Sequence, residues 1–410
     1  MSRLLLLLFA LTLSACVGLA PEGRAPERAG PDARPLVILV GIDGFRPDYL
    51  DRGVTPTLSG LRAGGAFAAM RPSFPSVTFP NHYTLVTGLH PDRHGIVNNT
   101  MIDAELGRFS LGNAAAVTNG EWWDDGEPIW VTAERAGLTT GTMFWPGSEA
   151  EIGGLRPTHW TVFDQSLSGD ARVDRVLEWL DLPGDQRPDF ATVYFDIVDT
   201  AGHHHGPAAA ETTEAVASVD ASMGRLIEGL EARGLAHRTT LVVVSDHGMA
   251  ATSPERAIYL DDIIDVEALQ IVHAGAFAGF NPVPGREDEV RAALIRRHPH
   301  MECVDKADLP ERLAYGRHPR VPGIICLPET GWLVATRDWP VRSPGGAHGY
   351  DNAAPDMAAL FIAHGPGVRS GVTLENMDAV DVQPLLAHVL GIDASRGDGS
   401  IMDVRPALTD

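Results

Sequence analysis

Apolar positions along the chain fall into two patterns. Four runs are short and continuous: residues 34–45 (RPLVILVGIDGF), 190–199 (FATVYFDIVD), 239–248 (TTLVVVSDHG) and 357–365 (MAALFIAHG). A half-exposed strand alternates apolar with polar, so unbroken runs of this length read as strands buried on both faces of a parallel sheet. Between them, apolar residues recur at helical spacing over residues 211–234, closing on Gly234, and again over 380–391. Strand–helix alternation predicts an α/β fold, an open and mostly parallel sheet with helices on both faces. Residues 252–341 break this rhythm with short strand-like pieces, one helical stretch at 287–298 and several Pro/Gly turns. They are expected to form a small α+β insertion, which leaves residues 35–251 and 342–410 for the sheet domain.

The first sixteen residues, MSRLLLLLFALTLSAC, place one arginine before a short apolar run and small residues before Cys16. This pattern predicts a secretory signal too short to span a bilayer. Its ending resembles a bacterial lipobox, with Cys16 as the lipidated residue. Residues 17–34, rich in Pro, Ala and Gly, read as a flexible tether. The expected location is the periplasmic side of a bacterial cell envelope, held to the membrane by the lipid on Cys16. In such an oxidising compartment Cys303 and Cys326 either pair or lie as buried free thiols.

The chain has 410 residues and a net charge of −22, from 54 acidic and 32 basic side chains. An acidic surface repels polyphosphate backbones, which argues against a nucleic-acid polymer as partner. A small anionic substrate remains compatible if the site carries its own cations.

Three of the predicted strands end in aspartates: Asp43, Asp199 and Asp246. Ligands in open parallel sheets bind at the carboxyl ends of strands, so these side chains are expected at one edge. In DTAGHHHG (199–206), Asp199 and His203 are four apart and share one face of a helical turn; His204 and His205 then line the mouth. In SDHG (245–248), Asp246 and His247 either meet one ion or cap the next helix. In GGAHGYDN (345–352), His348 sits in a glycine-rich loop that permits close approach. Three Asp and three His suit Zn²⁺, which accepts both N and O ligands. Two such ions about 3.5–4 Å apart can clamp the attacking and leaving oxygens of a phosphoryl transfer. Thr78, in FPSVTFPNHYTLVTG (74–88), stands where a loop meets a helix, with Pro80 near its start. It is either a helix cap or a hydroxyl offered to metal and made nucleophilic there.

Taken in order, GIDGFRPDYL, PSFPSVTFPNHYTLVTGLHPDRHGIVNN, DTAGHHHGP, SDHGM and GGAHGYDN resemble the nucleotide pyrophosphatase/phosphodiesterase family of the alkaline phosphatase superfamily. The likeness runs from about residue 35 to about residue 400. It implies an alkaline-phosphatase-like fold and a two-Zn²⁺ site, with Asp199, His203 and His348 on one ion and Asp43, Asp246, His247 and Thr78 on the other. It implies Thr78 as nucleophile and Asn99 as the hydrogen-bond donor to a phosphate oxygen. It also implies Phe79 and Tyr194 as rings enclosing a nucleobase, with Leu111 lining the pocket. The implied substrate is a small phosphodiester or nucleotide, cleaved through a phosphothreonine intermediate to release a nucleoside monophosphate. Competing readings are an alkaline-phosphatase-type phosphomonoesterase, a phospholipase C-like enzyme on choline phosphodiesters, and a non-catalytic envelope binding module.

Overall fold

The computed structural model describes residues 34–409. The signal segment expected at 1–16, its Cys16, and all of the 17–34 tether but Arg34 lie outside the described residues.

The frame is an eight-stranded sheet in the order Val372–Leu374, Ala66–Met70, Ala359–His364, Thr239–Val244, Leu36–Ile42, Phe190–Phe195, Thr140–Met143, His159–Trp160. Only Ala359–His364 runs against its neighbours; the other pairings are parallel. The three central strands are apolar at almost every position because both faces are covered. Along Leu36–Ile42, Val37 and Leu39 enter one core while Leu36, Ile38, Val40 and Ile42 enter the other. The neighbouring strand divides the same way, with Val242 and Val244 on one side and Leu241 and Val243 on the other. This is the two-residue alternation of side chains across a pleated sheet, here apolar in both directions. The first face is packed by helices Thr78–Thr87, Ile129–Arg135 and Val382–Leu390. The second is packed by Pro56–Gly64, Gly169–Leu180 and Ala210–Ala232.

A separate five-stranded antiparallel sheet, Leu269–His273, Ala278–Pro282, Ile324–Pro328, Met301–Asp305 and Arg297–His298, encloses its own apolar cluster around Phe280, Ile324 and Val290. The helix expected at 287–298 is shorter than its apolar spacing suggests. It ends at Leu294, and Arg297–His298 turns back as a strand onto Met301–Glu302. Cys303 and Cys326 are direct cross-strand partners and form a disulfide, closing a sequence separation of 23. Among the described residues, no helix is long and apolar enough to cross a membrane.

The disulfide restricts the unfolded chain more than the folded sheet. Replacing both cysteines by alanine is expected to lower the stability of this sheet by about 3 kcal/mol, read as an earlier transition in chemical denaturation. An unchanged transition would show that the bridge contributes nothing.

Candidate active site

The register of the three central parallel strands brings the aspartates together. Asp43 follows Leu36–Ile42 directly, Asp246 lies two residues beyond Thr239–Val244, and Asp199 stands in the first turn of helix Ile197–His205, which follows Phe190–Phe195. Two tight sets of possible ligand atoms result: Asp43, Asp246 and His247, and Asp199, His247 and His348, each within 4.8 Å. His247 belongs to both. His203 joins at the rim, its Nε2 3.4 Å from Asp199 Oδ2 and 3.0 Å from His348 Nε2. His204 and His205 are exposed beyond it. The short strand Gly345–Ala347 carries His348 against helix Ile197–His205, and only glycine permits the approach: a Cβ at Gly346 would lie 2.5 Å from the Gly202 carbonyl oxygen.

Hydrogen bonding fixes how the histidines face. Nδ1–H of His247 donates to Gly248 O, that of His203 to Gly346 O, and that of His348 to Ser76 O, each at 2.9 Å. A carbonyl only accepts, so in all three rings Nδ1 carries a proton, and Nε2, turned inward, is the nitrogen that can ligate a metal. Two lone pairs 3.0 Å apart, on His203 and His348, repel unless a proton or cation lies beside them. On the carboxylate side, Asp43 Oδ1, Asp199 Oδ1 and Asp246 Oδ2 are buried and make no hydrogen bond. Buried polar atoms are rarely left so, and six donors of mixed N and O type around one spot fit divalent metal.

The titration of these groups reports the same crowding. Burial pushes Asp43 well above the ordinary carboxylate range, and the charges of Asp246 and Asp199 add to the shift. Burial also raises Asp199. Asp246 moves the other way: burial opposes its charge, but His247 and His82 beside it hold it well below the usual value. His348 is depressed by burial and by the neighbouring His247 and His203.

Thr78 is the first residue of helix Thr78–Thr87, not its cap; Val77 holds the cap position. Its Oγ1 lies 3.3 Å from His247 Nε2, the atom common to both ligand sets. Pro80 is the third helical residue, still in the first turn, where an N–H has no partner in the helix. Besides the bond from His348 to Ser76 O, one side chain gathers the loop before Thr78. Asn81 Oδ1 accepts from Ser73 N–H at 2.7 Å, and its Nδ2 donates to Pro75 O at 2.8 Å, Val77 O at 3.1 Å and Ser73 O at 3.2 Å.

This geometry has known counterparts. The sequence profile described as type I phosphodiesterase/nucleotide pyrophosphatase matches residues 37–351. An uncharacterised pyrophosphatase/phosphodiesterase of Schizosaccharomyces pombe is 38% identical over 387 residues, 90% of this chain and 80% of its own. Human ectonucleotide pyrophosphatase/phosphodiesterase family member 5 is 35% identical over 407 residues, covering 98% of this chain and 82% of its own. The chain belongs to the type I phosphodiesterase/nucleotide pyrophosphatase family. Among solved structures, murine family member 5, made inactive by a threonine-to-alanine substitution and in complex with AMP, superposes with a TM-score of 0.87 at 34% identity. The match covers 92% of this chain and 100% of that one. As a member of this family the chain is a hydrolase of nucleotide phosphodiester bonds, and its frame is the alkaline-phosphatase-like sheet.

The structure distributes the remaining sequence candidates of this phosphodiesterase unevenly. Asn99 Oδ1 accepts from the Phe79 N–H at 2.8 Å, which orients the amide and leaves its Nδ2 as the donor end. Phe79 is partly buried against Phe109 and Trp123. Leu111, 51% exposed, ties back through its N–H to Asn99 O at 3.0 Å. Tyr194 sits elsewhere than the resemblance implies. It is only 8% exposed, and its hydroxyl donates to Asp43 Oδ2 at 2.6 Å. The exposed aromatic on that side is Phe163, 43% accessible, with its ring 6.1 Å from that of Tyr194. Sequence reasoning missed Phe163, His82 and Asn81. Phe163 lies outside any periodic run, and the other two look like ordinary residues of an amphipathic helix. His82 Nδ1–H donates to Thr78 O at 2.9 Å and lies 3.4 Å from Asp246 Oδ2.

Tyr194→Phe keeps the ring and removes only the hydroxyl that holds Asp43. Zn²⁺ affinity, read by competition with a chromogenic chelator, is expected to fall about tenfold or more. An unchanged affinity would return Tyr194 to a stacking role.

Proposed function

We propose that the chain is a zinc-dependent phosphodiesterase/nucleotide pyrophosphatase that cleaves nucleotide phosphodiester or phosphoanhydride bonds through a covalent intermediate on Thr78 and releases a nucleoside monophosphate. The observation that carries this reading is the place of Thr78: uncapped, at a helix N-terminus, 3.3 Å from the imidazole nitrogen that both ligand sets share.

Asp199, His203 and His348 would hold one Zn²⁺; Asp43, Asp246 and His247, with Thr78, would hold the second. Bound there, the ions would supply Lewis-acid charge to the phosphoryl oxygens and ease ionisation of a coordinated alcohol. The chain's own groups then do the following. Thr78 Oγ1 gives up its proton and forms a bond to phosphorus as the bond to the leaving group breaks, and the departing oxygen takes up a proton from solvent. Asn99 Nδ2 donates to a non-bridging oxygen, a bond that strengthens as charge builds there. The start of helix Thr78–Thr87 adds partial positive charge behind the phosphoryl group. Water then displaces Thr78 from phosphorus, returning a proton to its oxygen and freeing the nucleoside monophosphate. With Tyr194 committed to Asp43, the apolar platform for the base falls to Phe79, Leu111 and Phe163, since stacking on such faces tolerates different bases. The AMP bound by the murine relative supports a nucleotide as substrate.

We read residues 1–16 as an export signal with Cys16 as the site of lipidation, placing the enzyme on the periplasmic side of a bacterial envelope. The disulfide supports an oxidising compartment.

Thr78→Ala is expected to lower turnover of bis-p-nitrophenyl phosphate by at least about a thousandfold without altering the circular dichroism spectrum. Acid quenching of the unaltered enzyme during turnover of a dinucleoside polyphosphate should leave a nucleotidyl mass on the peptide containing Thr78. Chelation should abolish activity and Zn²⁺ restore it. Near-native turnover by Thr78→Ala overturns the covalent scheme, and full activity after exhaustive chelation overturns the metal assignment.

A further inference from the structure

Asn99 lies on an irregular segment between the helical turn Pro91–His94 and the strand Thr100–Asp103. Such a segment has no ladder of its own, so its backbone polar groups must be met from outside. The partners are specific. Ile96 N–H donates to His94 Nδ1 at 3.2 Å, Asn99 N–H to Asn98 Oδ1 at 2.7 Å, and Leu111 N–H to Asn99 O at 3.0 Å. Two further carbonyls are met by side chains more than two hundred residues away. Tyr315 Oη–H donates to Val97 O at 3.0 Å, and Arg320 Nη1–H to Gly95 O at 3.0 Å. Arg320 Nη1 also donates to Trp122 O at 2.9 Å, and Arg320 Nε to Asp103 Oδ2 at 2.8 Å. The guanidinium, on a residue 7% exposed, lies 4.8 Å over the Trp122 ring. One buried cation thus grips the segment before Asn99, the strand after it, and the aromatic layer beneath Phe79.

The loop that supplies both side chains is itself braced. The Asp92 carboxylate accepts from Gly316 N–H at 3.0 Å, Arg317 N–H at 2.7 Å and His318 N–H at 3.1 Å. Lys306 Nζ donates to His318 O at 3.2 Å and Val321 O at 2.9 Å. Gly316 adopts φ +116°, and a Cβ there would lie 2.3 Å from Lys306 O, so the turn admits no side chain. The Tyr315 ring also packs edge-on against Phe74 at 5.3 Å, in the loop leading to Thr78. The loop therefore touches both the nucleophile's approach and the segment bearing Asn99.

We infer that Tyr315 and Arg320 are positioning residues for Asn99, and that the loop 315–320 sets where the phosphate-binding amide stands relative to Thr78. A burial role alone would not need a guanidinium, whose transfer from water is costly unless every donor finds an acceptor. The inference rests on the role given to Asn99 under Proposed function.

The test measures kcat and KM on bis-p-nitrophenyl phosphate for Tyr315→Phe, Arg320→Lys and Arg320→Met, each alone and combined with Asn99→Ala, at matched zinc content. Tyr315→Phe removes one hydrogen bond with little change of shape and should lower kcat/KM by about three- to tenfold, mostly in kcat. Arg320→Met should cost more, with Arg320→Lys recovering part of the loss. In the Asn99→Ala background all three effects should vanish, because residues acting through one group are not additive. Equal losses in both backgrounds, or none in the single variants, overturn the inference. If Arg320→Met fails to fold, Tyr315→Phe and its combination with Asn99→Ala decide the question. If Asn99→Ala alone is harmless, the phosphate-binding role of Asn99 falls, a result distinct from a failure of coupling.

Discussion

Everything in this molecule is arranged around an electrostatic conflict. Three carboxylates and the imidazoles of His247 and His348 converge at the end of a sheet, where burial denies them water, with His203 at the rim. Like charges in a poorly polarisable place repel far more strongly than on a surface. Protonation relieves part of this, as the raised Asp43 shows. A divalent cation would relieve more of it, because every unsatisfied oxygen and every inward Nε2 is already a ligand atom. A group of this kind survives only if the surrounding fold is stable enough to hold it. That stability comes from the two continuous apolar cores on either face of the central sheet.

The same sheet explains why the geometry is firm. Leu36–Ile42 is paired on both sides, in register with Phe190–Phe195 and with Thr239–Val244. A slip of one residue would send each side chain into the opposite core, where the packed volumes differ, so close packing holds the register. Because Asp43 and Asp246 follow their strands within two residues, they inherit that precision. His203 and Asp199 inherit it through a helix that starts two residues after its strand. The imidazoles are oriented by backbone carbonyls rather than by mobile side chains. Thr78 is placed differently. It begins a helix whose preceding loop is held by the Asn81 amide through four hydrogen bonds and by His348 at Ser76 O.

Much of this was legible in the sequence, for a physical reason. Strands buried on both faces write unbroken apolar runs, and the chemistry sits where such runs stop, so Asp43, Asp246 and His247 marked themselves. Asp199 and His203 were readable from helical spacing. Other features left no periodic trace. The hydrogen bond from Arg320 to Asp103 spans 217 residues, and nothing local distinguishes that arginine from a surface one. Tyr194 misled because an aromatic near a strand end suits either stacking or a buried hydroxyl donor. Only the contact with Asp43 separates the two. The helical reading of 287–298 overshot because RRH continues a favourable composition into residues that pair as a strand.

The supports of the site are therefore of two kinds, and they answer to different pressures. The ligand set hangs on the central sheet, where any displacement disturbs a core shared by the whole fold. Asn99 hangs on a segment gripped by Tyr315 and Arg320, and Tyr315 packs with Leu313 and Val321 into the core on the first face of that same sheet. The two donor bonds are local all the same: losing either one frees the segment bearing Asn99, and neither is among the bonds that orient the three imidazoles. On the role proposed for Asn99, the phosphate-oxygen contact is then adjusted through hydrogen bonds that the metal-binding groups do not share. A fold built this way can change which diester it accepts while keeping one chemistry, because the bonds that set selectivity and those that hold the ligands are separate even where they lean on one core.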